Sequence, residues 1–110
     1  MKLYEELYEE YKKDPFLVNK YLKAGLYSIS IGDKLVYIGK STDCLKRIAS
    51  HIANIQEGNG SHKYEILREA INVGQPISFD YIYSPSGTNI DEEIGVQEGV
   101  YIRKNLPCLN

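Results

Sequence analysis

Two phenols, an ammonium, a guanidinium and an imidazole lie close together along this chain, at Tyr27, Tyr37, Lys40, Arg47 and His51. Residues of those types suit a phosphodiester. Attack on one needs an aligned nucleophile, neutralised non-bridging oxygens and a stabilised leaving alkoxide. Arg47 offers a planar fork that matches phosphate geometry. His51, with a reference pKa of about 6.5, suits proton transfer. Tyr27, at about 10, is a poor base unless positive charge from Lys40, Arg47 or a metal helps it. Either side chain could therefore act as general base.

The elements around these residues read as a hairpin feeding a helix. Leu26 to Ile31 and Leu35 to Ile38 are short β-rich runs on either side of Gly32-Asp33-Lys34. A three-residue loop puts Ile31 opposite Leu35, Ile29 opposite Tyr37 and Tyr27 opposite Gly39. Tyr27, Ile29, Leu35 and Tyr37 then share one face, and Gly39 leaves a gap for a ligand atom. A two-residue loop would send the tyrosines to opposite faces, since one step of register flips every side chain. Ser41 or Thr42 is expected to cap the next helix, with Leu45, Ile48, Ile52 and Ile55 as its buried stripe. Arg47 and His51, at i and i+4, project together beside that stripe, toward a cleft edge.

At 110 residues, with 43% apolar and 25% charged residues, the chain has the makings of one soluble domain with one modest core. No apolar run approaches the roughly 18 residues of a membrane span, and Met1 to Glu6 lacks the apolar stretch of a signal peptide. The two cysteines, Cys44 and Cys108, make no disulfide framework, which points to a reducing cytoplasm. Those cysteines with His51 and His62 lack the C-x-x-C or H-x-x-x-H spacing of a zinc site. Net charge is −2, unlike a typical basic nucleic-acid-binding domain. The charge is polarised, however. Lys34, Lys40, Lys46 and Arg47 outnumber Asp33 and Asp43 across residues 24–56, whereas acidic residues dominate from 71 onward. Affinity for a polyanion should be moderate and salt-dependent, centred on the basic stretch.

Leu3, Tyr4, Leu7, Tyr8 and Tyr11 form a helical stripe over residues 2–13, and Asp14-Pro15 opens a short second helix to about Leu22. The stripe reads as a packing face more readily than as a base-stacking platform, because Glu5, Glu6, Glu9 and Glu10 beside it would repel phosphate. It also offers a homodimer contact. Ser61 caps a helix to about Ile71, residues 77–83 alternate as a strand, and Asn89 with Glu92 resembles a capping box for a last helix to about Asn105. On that helix Ile90, Ile94, Tyr101 and Ile102 mark the buried face, and Glu98 falls within it. A buried carboxylate needs a cation, either a basic side chain or a divalent metal. Gly95 and Gly99 imply that something approaches that helix closely.

Taken together, Gly25-Leu26-Tyr27, Tyr37-Ile38-Gly39, Arg47, His51, Glu98 and Asn110 resemble, in order, the motifs of a GIY-YIG endonuclease domain. The resemblance covers residues 24–110 and leaves 1–23 as an N-terminal helical extension. It implies an α+β fold, a small three-stranded antiparallel β-sheet flanked by helices. It also implies metal-dependent hydrolysis of nucleic-acid phosphodiester bonds, with DNA the expected substrate and one divalent ion, Mg²⁺ or Mn²⁺, as cofactor. By the same resemblance Tyr27 is the proposed general base, Tyr37 supports it or contacts phosphate, and Arg47 stabilises the phosphate. His51 handles a proton or contacts phosphate, Glu98 is the metal ligand, and Asn110 braces the site. Lys40, Lys46 and Asn110 are the expected nucleic-acid contacts. The net negative charge and glutamate-rich first helix motivate an alternative: a catalytically inactive nucleic-acid- or protein-binding module with the same fold.

Overall fold

In chain order the residues described by a computed structural model, 2–13 and 24–110, form β1 (Lys2–Leu3), α1 (Tyr4–Lys13), β2 (Gly25–Ile31), β3 (Lys34–Ser41), α2 (Cys44–Gln56), α3 (His62–Asn72), β4 (Ile77–Tyr83) and α4 (Ile90–Asn105). The expected second helix from Asp14 to Leu22 lies outside the described residues. β4, β2 and β3 make the antiparallel three-stranded sheet, and the two-residue β1 adds to the outer edge of β4, giving the order β1-β4-β2-β3.

The hairpin reaches the expected register by a different route. Its loop has two residues, Gly32 and Asp33, so Ile31 faces Lys34 and Ser30 faces Leu35. The pairing then shifts between Ile29 and Ser30, with Val36 as the extra residue, and Ile29 faces Tyr37 and Tyr27 faces Gly39 beyond it. A two-residue loop alone would have separated the tyrosines. The bulge cancels that one-residue step and also turns Val36 into the core, leaving Leu35 half-buried.

Both faces of the sheet are covered. Tyr27, Ile29, Val36 and Phe79 pack with Ile48, Ile52 and Ile55 of α2 and Tyr64 and Leu67 of α3. Each such large buried side chain contributes about 1.5–3 kcal/mol, so the layer that carries the site also holds the domain together. By the two-residue alternation of a strand, Leu26 and Ile38 point the other way, where α4 packs on β2 and β3 and buries Ile94. α1 packs against α2 and β4, and Tyr8 is tucked partly into the core. The packing reading of its stripe therefore holds at that residue.

The helix ends differ in detail from expectation. Asp43, not Ser41 or Thr42, caps α2, its carboxylate accepting from the Lys46 amide at 3.1 Å. Ser41 instead folds back on Asp43, accepting from its N–H at 3.0 Å. The buried stripe of α2 gains Cys44, Ala49 and His51, while Leu45 is half-buried. Asn89 caps α4, accepting from the Glu92 amide at 3.2 Å. Along α4 only Ile94 is fully buried; Ile90 is exposed and Glu98, Tyr101 and Ile102 are half-buried, because the helix rests on the sheet along a narrow line. Glu93 secures the loop before α4, its carboxylate accepting from Tyr83 Oη at 2.5 Å, Ser86 N at 3.0 Å and Gly87 N at 2.7 Å.

After α4, Leu106 turns left-handed (φ 47°) and sends the next residues across the free edge of β3. There Leu109 N donates to Val36 O at 2.8 Å, Ile38 N donates to Asn110 Oδ1 at 2.8 Å, and Asn110 Nδ2 donates to Ile38 O at 2.7 Å. An edge strand with unpaired backbone groups is thereby closed.

Candidate active site

The hairpin and α2 bring three aromatic rings together. Ring centroids are 6.2 Å apart for Tyr27 and Tyr37, 5.5 Å for Tyr27 and His51, and 5.6 Å for Tyr37 and His51. Tyr27 Oη lies 2.6 Å from His51 Nε2. The gap expected at Gly39 is filled from within. A Cβ on Gly39 would fall 2.3 Å from Tyr27 Oη, so the absent side chain is the space through which the phenol reaches His51. Gly25 is constrained in the same manner, a Cβ there falling 2.1 Å from the Tyr83 carbonyl oxygen.

His51 is wholly buried rather than placed at a cleft edge. Its pKa falls to about 3, first through burial and then through the nearby Lys63 and Arg47 cations. It is a neutral imidazole at physiological pH. Tyr27 is also wholly buried, and burial, reinforced by Tyr37, pushes its pKa well above the usual tyrosine range. The charge and hydrogen bond of Arg47, which reaches Tyr27 from the exposed side of α2, oppose that rise.

Residues outside the motifs complete the cluster. Lys63 Nζ sits 4.4 Å from the Tyr37 ring centroid and 5.0 Å from that of Tyr64. Burial and then Arg47 hold its pKa below the usual lysine value. Tyr64 Oη lies 2.8 Å from His51 Nδ1, and Asn54 Nδ2 donates to Tyr64 Oη at 3.3 Å. A tyrosine on the apolar face of α3 whose hydroxyl needs a buried partner was the available signal, but the sequence does not say which partner.

The other expected residues lie elsewhere. Lys46 and Arg47 line a cavity of about 330 Å³ with Ser41, Thr42, Asp43 and Ser50, adjoining the cluster through Arg47. Lys40 pairs with Leu26 and belongs to the opposite face of the sheet, its Nζ 3.6 Å from where a Gly95 Cβ would stand. It is what approaches Gly95, and it is not the cation that assists Tyr27. The side chain that meets Gly99 is Arg103 of the same helix. Asn110 braces the backbone of the Tyr37-Ile38-Gly39 segment. Glu98 is half-buried on α4, one turn beyond Ile94, and makes no hydrogen bond or ion pair among the described residues. Its solvent access removes the need for a fixed cationic partner.

Because His51 takes a proton at about 6.5 when unfolded and only at about 3 when folded, unfolding takes up a proton between those values. Stability from this group is intact above the unfolded pKa and declines as pH falls toward the folded one, by at most about 1.4 kcal/mol per pH unit. In denaturant titrations at pH 7 and pH 4.5, the wild type should lose about 2 kcal/mol more than His51→Gln. Comparing the two isolates His51 from carboxylates such as Glu93, whose pKa is lowered by Tyr83 and two backbone amides. Equal losses in both proteins would show that His51 is not buried as a neutral group.

No protein-family model and no curated protein sequence matches the chain. Solved structures do. A mutant of bacteriophage T4 EndoII aligns over 83% of this chain and 74% of its own, at 27% identity and a TM-score of 0.60. The GIY-YIG N-terminal endonuclease domain of UvrC from Thermotoga maritima, bound to its catalytic divalent cation, magnesium, aligns over 93% of this chain and 97% of its own, at 16% identity and a TM-score of 0.51. A point mutant of that domain aligns at 15% identity with the same TM-score. The chain therefore has a GIY-YIG nuclease-like fold. Its structural neighbours include the phage EndoII and the UvrC endonuclease domain.

Proposed function

We propose that this chain is a metal-dependent endonuclease that hydrolyses phosphodiester bonds in nucleic acid, with DNA as substrate. The observation that carries this reading is the packing of Tyr27, Tyr37 and His51 into one cluster beside Arg47, within a GIY-YIG nuclease-like fold. Arg47 neutralises the phosphate oxygens through its planar fork. Tyr27, although wholly buried, is the proposed base, Tyr37 packs beside it, and Lys63 adds a second positive charge. Lys46 holds the neighbouring backbone along the cavity it shares with Arg47.

Glu98 is the residue that would hold a divalent ion. A half-buried carboxylate without an internal partner among the described residues suits an ion that keeps most of its waters, and a magnesium ion is bound in the UvrC domain of the same fold. Such an ion, when bound, would supply charge neutralisation to the reaction.

The test is cleavage of plasmid, single-stranded and branched DNA, and of RNA, with Mg²⁺ or Mn²⁺. EDTA is expected to abolish cleavage, and Glu98→Gln to slow it by about 10²-fold or more with an unchanged melting temperature. Metal-independent cleavage, or full activity in Glu98→Gln, would overturn the assignment.

A further inference from the structure

Beneath the tyrosine cluster, a line of polar side chains joins α2, α3 and β2, and its hydrogen-bond direction can be followed from one end. Asn54 Nδ2 lies 2.9 Å from the Ser50 carbonyl oxygen. A carbonyl only accepts, so the amide must turn its NH₂ group that way, and Asn59 Nδ2 donates to the other end, Asn54 Oδ1, at 3.1 Å. The same NH₂ group reaches Tyr64 Oη at 3.3 Å, so Tyr64 accepts there. The Tyr64 hydroxyl then has one proton to place, and its remaining hydrogen-bond partner among the described residues is His51 Nδ1, 2.8 Å away. Leaving a buried donor unmatched costs about 1–3 kcal/mol, and Tyr64 is 5% exposed. Tyr64 therefore donates, and Nδ1 is the lone-pair nitrogen. A neutral imidazole without a proton on Nδ1 carries it on Nε2, and Nε2 lies 2.6 Å from Tyr27 Oη.

We infer, resting on the endonuclease reading above, that Asn54 and Tyr64 are positioning residues that hold His51 in the Nε2–H tautomer, so that His51 donates a hydrogen bond to Tyr27 and does not take its proton. With a donor arriving from His51 Nε2, the Tyr27 hydroxyl keeps its own proton. This decides between the two candidate bases on geometric grounds. The lone-pair nitrogen of His51 is taken up by Tyr64, which removes His51 as the base, and His51 acts through Tyr27.

Nitrogen NMR on the full chain reads the tautomer directly, whether or not cleavage is ever observed. The exposed His62, the second of the two histidines, serves as an internal reference. At pH 7 the wild type should show a pyridine-type Nδ1 and a pyrrole-type Nε2 on His51; the opposite pattern overturns the inference. Asn54→Asp replaces the terminal donor by an acceptor, so Tyr64 must turn its proton to the carboxylate and accept from His51. The expected result is a switch to Nδ1–H. Tyr64→Phe removes the hydroxyl without changing the ring and should leave a mixture of both tautomers. It carries the test if Asn54→Asp does not fold. An unchanged, pure Nε2–H signature in either folded variant would overturn the inference. Absence of cleavage on every substrate with a wild-type Nε2–H signature would instead remove the endonuclease reading alone.

Discussion

Arg47→Ala is expected to lower the cleavage rate by about 10²–10³-fold, the usual cost of losing one preorganised group at developing charge. The guanidinium stands on the exposed side of α2 and packs into no core cluster, so the melting temperature should stay close to that of the wild type. Two effects act in the same direction. The phosphate loses its planar donor, and Tyr27 loses the positive charge that opposes the upward push of burial and Tyr37 on its pKa. Arg47→Lys should recover only part of the activity, since an ammonium restores charge without the fork. Steady-state kinetics on one DNA substrate, with a thermal melt of each variant, checks this. Wild-type kcat in Arg47→Ala would exclude the residue from the site.

Gly39→Ala should do greater damage to the fold. Its Cβ would stand 2.3 Å from Tyr27 Oη and 2.4 Å from Tyr27 Cζ, far inside van der Waals contact. Tyr27 has nowhere to retreat, being wholly buried and hydrogen-bonded to an equally buried His51. Overpacking of a tight core costs about 1–3 kcal/mol and sometimes more, and displacing the phenol adds the loss of its hydrogen bond, about 1 kcal/mol. A destabilisation of about 2–4 kcal/mol is expected, which would lower the melting temperature of a domain this size by more than 10 °C on the order-of-magnitude scaling. Gly39→Ala combined with Tyr27→Phe should regain little, because the ring carbon remains in the way. A Gly39→Ala protein as stable as the wild type would show that the phenol does not occupy that space.

Lys63 shows why part of the cluster escaped the sequence. Nothing in its neighbourhood marks it, and it joins the site because α3 folds back against the hairpin and places its ammonium over Tyr37. Lys40 shows the converse. It sits beside the Tyr37-Ile38-Gly39 motif, yet the alternation of β3 sends it to the α4 face.

What the sequence determined by itself was local: strands β2, β3 and β4, the helical segments, the Asn89 cap, the i and i+4 spacing of Arg47 with His51, and the order of the motif residues. These follow from spacings of a few residues, which set periodicity and capping whatever the rest of the chain does. Tertiary structure alone decided that a bulge at Val36 would restore the tyrosine register, that His51 would be buried and neutral, and that Tyr64 and Asn54 would supply its partners. The physical reason is that burial and hydrogen-bond direction depend on which distant residues exclude water from an atom and which donor or acceptor they leave beside it. No stretch of neighbouring sequence carries that information.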